Sequence, residues 1–235
     1  MLVQFINIII FVILMKLEKL FEGIYSIDGR LATANMVKGS TVYGEELIEL
    51  DGREYRLWNP YRSKLSAALM KGLKRMDIRG GSEVLYLGAS TGTTSSHVSD
   101  IVGEKGNVFC VEISERSMRD LLKVCDIRKN MFPIFEDARN IGAYREDVGT
   151  VDVIYQDVAA RDQDLILLRN AALLKKGGTA YVAIKSQSID ISKRPSEVFA
   201  GFLRNVSVAF EILERIDIGT YDKHHLFVVL KKKID

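Results

Sequence analysis

The groups in this chain best suited to holding a nucleotide-like ligand begin at Gly88. The stretch Tyr86-Leu87-Gly88-Ala89-Ser90-Thr91-Gly92-Thr93-Thr94 follows an apolar run, Val84–Leu87, and opens onto a helix-like segment from Ser95 to Val102. Strand, glycine turn and helix start together bring backbone N–H groups close to a ligand. A Cβ at the glycine would block that approach or forbid the turn. Glu112 lies 24 residues on (112 − 88), near the ~20 at which an acid meets a ribose diol. Asp137, in Glu136-Asp137-Ala138, is placed to take an adenine amino group. Asp157, in Gln156-Asp157-Val158-Ala159, and Lys185 close two later apolar runs.

Two cofactors fit a glycine loop followed by a ribose-binding acid: a dinucleotide and S-adenosylmethionine. The loop here is Gly-x-x-x-Gly, not the tighter Gly-x-Gly-x-x-Gly that accommodates a pyrophosphate. Glu136, Asp137 and Asp157 make the pocket negative, which suits a sulfonium cation and disfavours a pyrophosphate. The residues therefore favour the methyl donor.

These groups need a parallel sheet to bring them together. From Gly80-Gly81 onward, strand and helix patterns alternate. Strands are expected at Glu83–Leu87, Asn107–Val111, Phe132–Phe135, Val151–Tyr155, Thr179–Ile184, Ala209–Ile216 and His225–Leu230. Helices fall between the first five, including Arg116–Val124 and Gln163–Leu174, the latter closed by Lys175-Lys176-Gly177-Gly178. Such alternation predicts an α/β fold with a mostly parallel seven-stranded sheet. The last two strands lack an intervening helix, so they predict an antiparallel terminal hairpin. Ligands then sit at the carboxyl ends of the strands.

Before the sheet, residues 16–58 alternate short apolar runs with turn signals, among them Asp28-Gly29 and Asp51-Gly52. These predict hairpins and a small N-terminal antiparallel β subdomain over residues 15–60, ahead of a main domain over 61–235. From Ser63 a helical period places Leu65, Ala68, Leu69, Gly72 and Leu73 on one face.

At 235 residues and 47% hydrophobic composition the chain can bury a sizeable core. Net charge is only +2, but Arg53 to Arg79 holds eight Lys/Arg against Glu54 and Asp77, a local excess of +6 (8 − 2). That excess suits either a polyanion or a solvated helix face. Cys110 and Cys125 are too few for a disulfide framework and read as free thiols in a reducing cytoplasm. His97, His224 and His225 have no metal-ligand spacing, so no metal is expected. Residues 1–14 are apolar but short for a membrane span. They are expected to be an upstream misreading of the start, with Met15 the true one; an extra apolar strand or helix, or a membrane anchor, are the alternatives.

Six segments resemble, in order, the successive signatures of the fibrillarin family. They are Asn59-Pro60-Tyr61-Arg62-Ser63-Lys64-Leu65, Tyr86–Thr94, Phe135-Glu136-Asp137-Ala138-Arg139, Asp157-Val158-Ala159, Ile184-Lys185-Ser186-Gln187-Ser188-Ile189-Asp190 and Tyr221-Asp222-Lys223-His224-His225. The length, and the lack of a Gly/Arg-rich tail, are similar to the archaeal form. The resemblance implies a class I, Rossmann-like methyltransferase that modifies ribose 2′-hydroxyls of rRNA and tRNA inside a box C/D guide RNP. It implies S-adenosyl-L-methionine as cofactor, with contacts at Gly88, Ala89, Thr93, Thr94, Glu112, Ile113, Asp137, Ala138, Asp157, Val158, Ala159, Ala160 and Gln163. It implies a catalytic set of Lys64, Asp157, Lys185 and His225, and RNA contacts at Arg62, Lys64 and Lys185. The implied partners are the guide C/D RNA, the target RNA, a Nop-domain scaffold protein and a kink-turn-binding ribosomal-type protein.

Two departures stand out. Ala160-Arg161 replaces the family's Gln-Pro after Asp-Val-Ala, and Ser186-Gln187 replaces Ala-Arg after the lysine, with the loss of one positive charge. Two rival readings keep the fold. One is another class I methyltransferase or an NAD-dependent oxidoreductase, and the other is a scaffold without turnover.

Overall fold

Two Asp-Gly pairs fold the first part of the chain. Asp28 and Gly29 have φ of 48° and 78°, and Asp51 and Gly52 have 51° and 76°. Positive φ at both central positions is what a two-residue hairpin turn of type I′ demands. A computed structural model describes residues 15–234; the expectation for residues 1–14 lies outside them. The hairpins build an antiparallel sheet from β1 (Leu17–Phe21), β2 (Ile24–Ile27), β3 (Arg30–Ala34), β4 (Leu47–Leu50) and β5 (Arg53–Leu57), ordered β1-β2-β3-β5-β4.

Helix α1 (Lys64–Met70) follows, with Ser63 as N-cap accepting from the Ser66 N–H at 3.3 Å. It is shorter than its apolar period suggested. Gly72 turns left-handed at φ +89°. Gly72 N–H then bonds Leu69 O, and Leu73 N–H bonds Ala68 O, each at 3.0 Å, the two closing bonds of a Schellman end.

The main sheet holds β6 (Glu83–Leu87), β7 (Asn107–Glu112), β8 (Met131–Phe135), β9 (Val151–Gln156), β10 (Leu174–Lys185), β11 (Phe210–Asp217) and β12 (His225–Lys232). Their order is β11-β12-β10-β9-β6-β7-β8. Neighbours from β10 to β8 run parallel, whereas β12 is antiparallel to both β10 and β11, as the terminal hairpin required. The strand order reverses between β6 and β9, and this switch point is where an α/β sheet opens a crevice. The connecting helices are α2 (Thr93–Val102), α3 (Glu115–Ile127), α4 (Arg145–Val148), α5 (Gln163–Asn170), α6 (Ser186–Ile189) and α7 (Pro195–Val206).

Alternation along the strands divides the core in two. Val84, Tyr86, Val153, Tyr155, Tyr181, Ala183, Phe227 and Val229 pack with α1, α2 and α3. Leu85, Leu87, Ile154, Val182, Ile184 and Val228 pack on the other face with α5 and α7. Covering both faces explains why these strands read as continuous apolar runs.

Two expectations are corrected. The helix expected over Gln163–Leu174 is α-helical to Asn170 and tightens into a 3₁₀ turn over Ala171–Leu173, but Lys175–Gly178, read as its cap, lie inside β10. Where the α-helix tightens, the Asn170 amide donates to Ala138 O and Ile166 O, each at 2.9 Å. The pairing of β10 with β9 shifts register between Leu174 and Thr179, so the glycines serve a strand irregularity. The basic cluster is also not all surface. Arg56 is fully buried. It donates to Glu45 at 2.7 Å and to Asp100 at 2.8 Å, and Arg128 meets the other Asp100 oxygen at 2.6 Å. Thr33 of β3 donates to the same carboxylate at 2.8 Å. This network ties the small sheet to α2. His97 of α2 joins it, bonded to Thr33 and Tyr43 at 2.8 Å each and stacked on Trp58 at 4.7 Å.

Candidate active site

Register alone sets two of the candidate groups side by side. Lys185, last in β10, and His225, first in β12, are direct partners across the antiparallel ladder, so their side chains share a face. Lys185 follows Ala183 by two residues, His225 precedes Phe227 by two, and Asp157 follows Tyr155 by two. Each therefore continues the face that packs beneath α1, at the carboxyl end of the sheet. Helix α1 brings Lys64 over them.

The four side chains converge. Lys185 Nζ lies 2.8 Å from Asp157 Oδ1 and donates to the Asp157 carbonyl at 3.0 Å. Lys64 Nζ donates to Asp157 Oδ2 at 3.1 Å. A fifth group, Asp222, joins them 3.4 Å from Lys64 Nζ and 3.0 Å from His225 Nδ1. Burial pushes Lys64 towards neutrality, but the Asp157 and Asp222 carboxylates outweigh it and hold the ammonium above its ordinary 10.5. Burial lowers His225 below 6.5, against the Lys223 carbonyl and the two carboxylates, which raise it. At neutral pH the cleft thus presents the Lys64 ammonium beside a neutral His225 imidazole.

Two cavities meet at this cluster. One, about 260 Å³, is lined by Gly88, Glu112, Ile113, Asp137, Ala138, Asp157, Val158, Ala159, Ala160 and Lys185. The other, about 240 Å³, is lined by Arg62, Lys64, Gly88, Ala89, Thr93, Thr94 and Asp157. Gly88, Ser90 and Asp157 belong to both. A larger cavity, about 490 Å³, opens beside Trp58 and Met70. It contains none of the four clustered groups.

The loop geometry explains the glycine. Gly88 has φ +80°, and a Cβ there would meet the Asp157 carbonyl at 2.8 Å. Glu112 is held by both carboxylate oxygens, accepting from Ser90 N–H at 2.8 Å and Ser114 N–H at 2.7 Å. Its remaining lone pairs are preset for a diol. Ile113, 60% exposed, offers an apolar ledge to a flat ring. Asp137 is gripped by Arg139 at 3.1 Å, which also bonds Asp162. These residues fit an adenosine-bearing cation.

Comparison with known proteins settles the lineage. The family model described as Fibrillarin matches residues 15–234. The chain belongs to the fibrillarin family. A fibrillarin-like rRNA/tRNA 2′-O-methyltransferase of Pyrococcus horikoshii is 48% identical over 218 residues, 90% of this chain and 96% of the relative. A solved Aeropyrum pernix fibrillarin in complex with natively bound S-adenosyl-L-methionine superposes with a TM-score of 0.83 at 41% identity, covering 92% of this chain and all of that one. Fibrillarin in a fibrillarin/Nop5p complex superposes with a TM-score of 0.84 at 37% identity, over 92% of this chain and all of that one.

Within this fibrillarin fold, every expected cofactor residue lines one of the two cavities except Gln163. Gln163 is fully buried. Its amide donates to Ala160 O and Lys185 O, and its oxygen accepts from Lys185 N–H at 3.1 Å. It braces the segments that carry Lys185 and Ala160 without facing the cleft. Ser186, one of the departures, is buried and bonds the His224 carbonyl through N–H and Oγ at 3.2 and 3.0 Å. Gln187 and Arg161 are exposed. Sequence reasoning missed Asp222, although it lies within the Tyr221–His225 signature; an acid three residues before a candidate histidine was the available signal. Among the described residues no cluster of three or more His, Cys, Asp or Glu could hold a metal, and no helix is long and apolar enough to cross a membrane.

Proposed function

We propose that this chain transfers a methyl group from S-adenosylmethionine to ribose 2′-hydroxyls of rRNA and tRNA, as the catalytic subunit of a box C/D guide RNP. One observation carries the reading: Lys64, Asp157 and Lys185 meet where the two cavities share Gly88 and Asp157, with His225 beside Lys185 across the ladder and joined to Lys64 through Asp222. The cofactor would be held by Glu112 at its ribose, by Ile113, Asp137 and Ala138 at its base, and by the Gly88–Thr94 loop. When bound, it supplies an electrophilic methyl group on a sulfonium.

The chain's own residues ready the hydroxyl. A 2′-hydroxyl is a weak nucleophile and must shed its proton as it reacts. Asp157, between the lysines, accepts or orients that proton. Lys185 stabilises the developing alkoxide, as fixed positive charge does in a site shielded from water. Lys64 holds Asp157 and, with Arg62, a backbone phosphate. His225 positions the ribose.

A net charge of +2 is low for autonomous RNA binding, which suits an enzyme delivered by a guide RNA. A Nop-domain scaffold, as the fibrillarin/Nop5p complex suggests, and a kink-turn-binding ribosomal-type protein complete the assembly. We place the activity in the cytoplasm, in keeping with the two buried free thiols, Cys110 and Cys125. Calorimetric titration with S-adenosylmethionine followed by tritiated-methyl transfer on the assembled RNP tests the reading. Binding plus site-selective transfer is expected; transfer of equal selectivity by the isolated chain would overturn it.

A further inference from the structure

On the reading that Lys64, Asp157, Lys185 and His225 form the reacting set, we propose that Asp222 is a positioning residue. Its two oxygens lie beside His225 Nδ1 and Lys64, and its charge beside Nδ1, together with the Lys223 carbonyl that accepts the Nδ1 hydrogen bond, favours the tautomer that leaves Nε2 unprotonated for the ribose. Oδ1 lies 3.0 Å from Nδ1, and Oδ2 lies 3.4 Å from the Lys64 ammonium. Nδ1 also lies 2.8 Å from the Lys223 carbonyl. Neither a carbonyl nor a carboxylate oxygen donates, so in the neutral ring the proton sits on Nδ1 and the lone pair on Nε2. Nε2 makes no hydrogen bond among the described residues and is free to accept one from a sugar hydroxyl.

The surrounding backbone is built to hold this arrangement. Asp222 N–H donates to Ile218 O at 2.9 Å. His224 adopts φ +63°, uncommon for a side-chain-bearing residue, and Ser186 pins its carbonyl. The strained residue thus directly precedes the one being aimed. Stability does not explain Asp222. Its side chain is 40% exposed, where an ion pair adds little.

The charged groups around His225 are Asp222 beside it, Lys64 from α1, Asp157 from the end of β9 and Lys185 across the ladder. Asp222 is thus the carboxylate that links the imidazole to an ammonium from a distant helix. A partner that fixes a histidine tautomer contributes a measurable share of function without touching substrate.

The test uses the full chain labelled with ¹⁵N-histidine, which has only three histidines to assign, and the same variants in the assembled guide RNP. With Asp222→Asn, the Nδ1–H tautomer population of His225 is expected to fall. So is kcat, by roughly 10–100-fold, the range for outer partners of a functional histidine. The acid limb of the rate profile should move to lower pH, because a carboxylate that raises the imidazole has gone. RNA KM, cofactor Kd and melting temperature should hold steady, and Asp222→Glu should recover most of the rate. An unchanged tautomer and limb, whatever happens to the rate, overturns the proposal, as does failure of Asp222→Glu to recover. Lys185→Ala runs alongside. Full turnover there removes the active-site assignment, while the tautomer readout still decides whether Asp222 governs His225.

Discussion

Two lysines grip one carboxylate, and pH separates Lys64 from the histidine nearby. Lys64 titrates above 10.5 and His225 below 6.5, so kcat of the assembled RNP is expected to be flat between roughly pH 7 and 9. Below 6.5 the imidazole takes a proton, loses its acceptor, and the rate falls. A rate that rose on acidification would contradict the role given to His225. Lys185→Ala removes the side chain proposed to stabilise an alkoxide and should cost about 100- to 1000-fold in kcat, with cofactor affinity retained in calorimetry. Lys64, Asp157, Lys185 and His225 are legible in the short segments that carry them. Asp222 is not, because nothing in a linear signature says which carboxylate points at which cation.

At the scale of elements, the cleft depends on how closely the loop after β6 approaches the end of β9. Gly88→Ala puts a Cβ 2.8 Å from the Asp157 carbonyl at a φ of +80°. Overpacking of this kind costs about 1–3 kcal/mol, and it moves the two segments that both cavities share. Cofactor affinity should weaken at least severalfold while far-ultraviolet circular dichroism stays native. Unaltered affinity would show that the close approach is incidental. The succession of strands and helices could be read because both faces of the sheet are covered, so its central strands are apolar throughout. The end of α5 could not. Lys175-Lys176-Gly177-Gly178 reads locally as a helix cap, yet the helix closes in a 3₁₀ turn at Leu173 and these residues join β10 in its pairing with β9. Helical periodicity likewise ran through Gly72 and Leu73, and a left-handed glycine stopped it.

For the whole molecule, the small sheet is held to the large one by buried charge. Asp100 balances Arg56 and Arg128 with no exposed side-chain surface. Removing one member of such a group leaves the others uncompensated, at about 3–5 kcal/mol. Asp100→Ala should lower the melting temperature by roughly 10 °C in a chain of this size. His97 lies in the same interface, and burial holds it well below 6.5, with Arg56 and Arg128 adding to the effect. A histidine kept neutral in the fold takes up a proton more readily once unfolded, so stability is full above 6.5 and declines as pH falls beneath it. Glu45 follows at lower pH. Burial raises it, but Arg56 and backbone N–H groups bring it below 4.5, so its share is lost under more acidic conditions. Melting curves from pH 8 downward would show the first decline. In His97→Phe, which cannot titrate, the early part of that decline should shrink to the share that His225 contributes.

Read alone, the order of residues determined the parallel sheet with its antiparallel end, the glycine loop after β6 with the acid that ends β7, and the lineage. These are encoded locally, in alternation, turn chemistry and short signatures. The folded chain alone decided that Arg56 is interior, that Gln163 braces the cleft instead of facing it, and that Asp222 links Lys64 to His225. Those outcomes depend on which distant side chains meet once the sheet closes its register, a quantity set by the packing of the whole molecule.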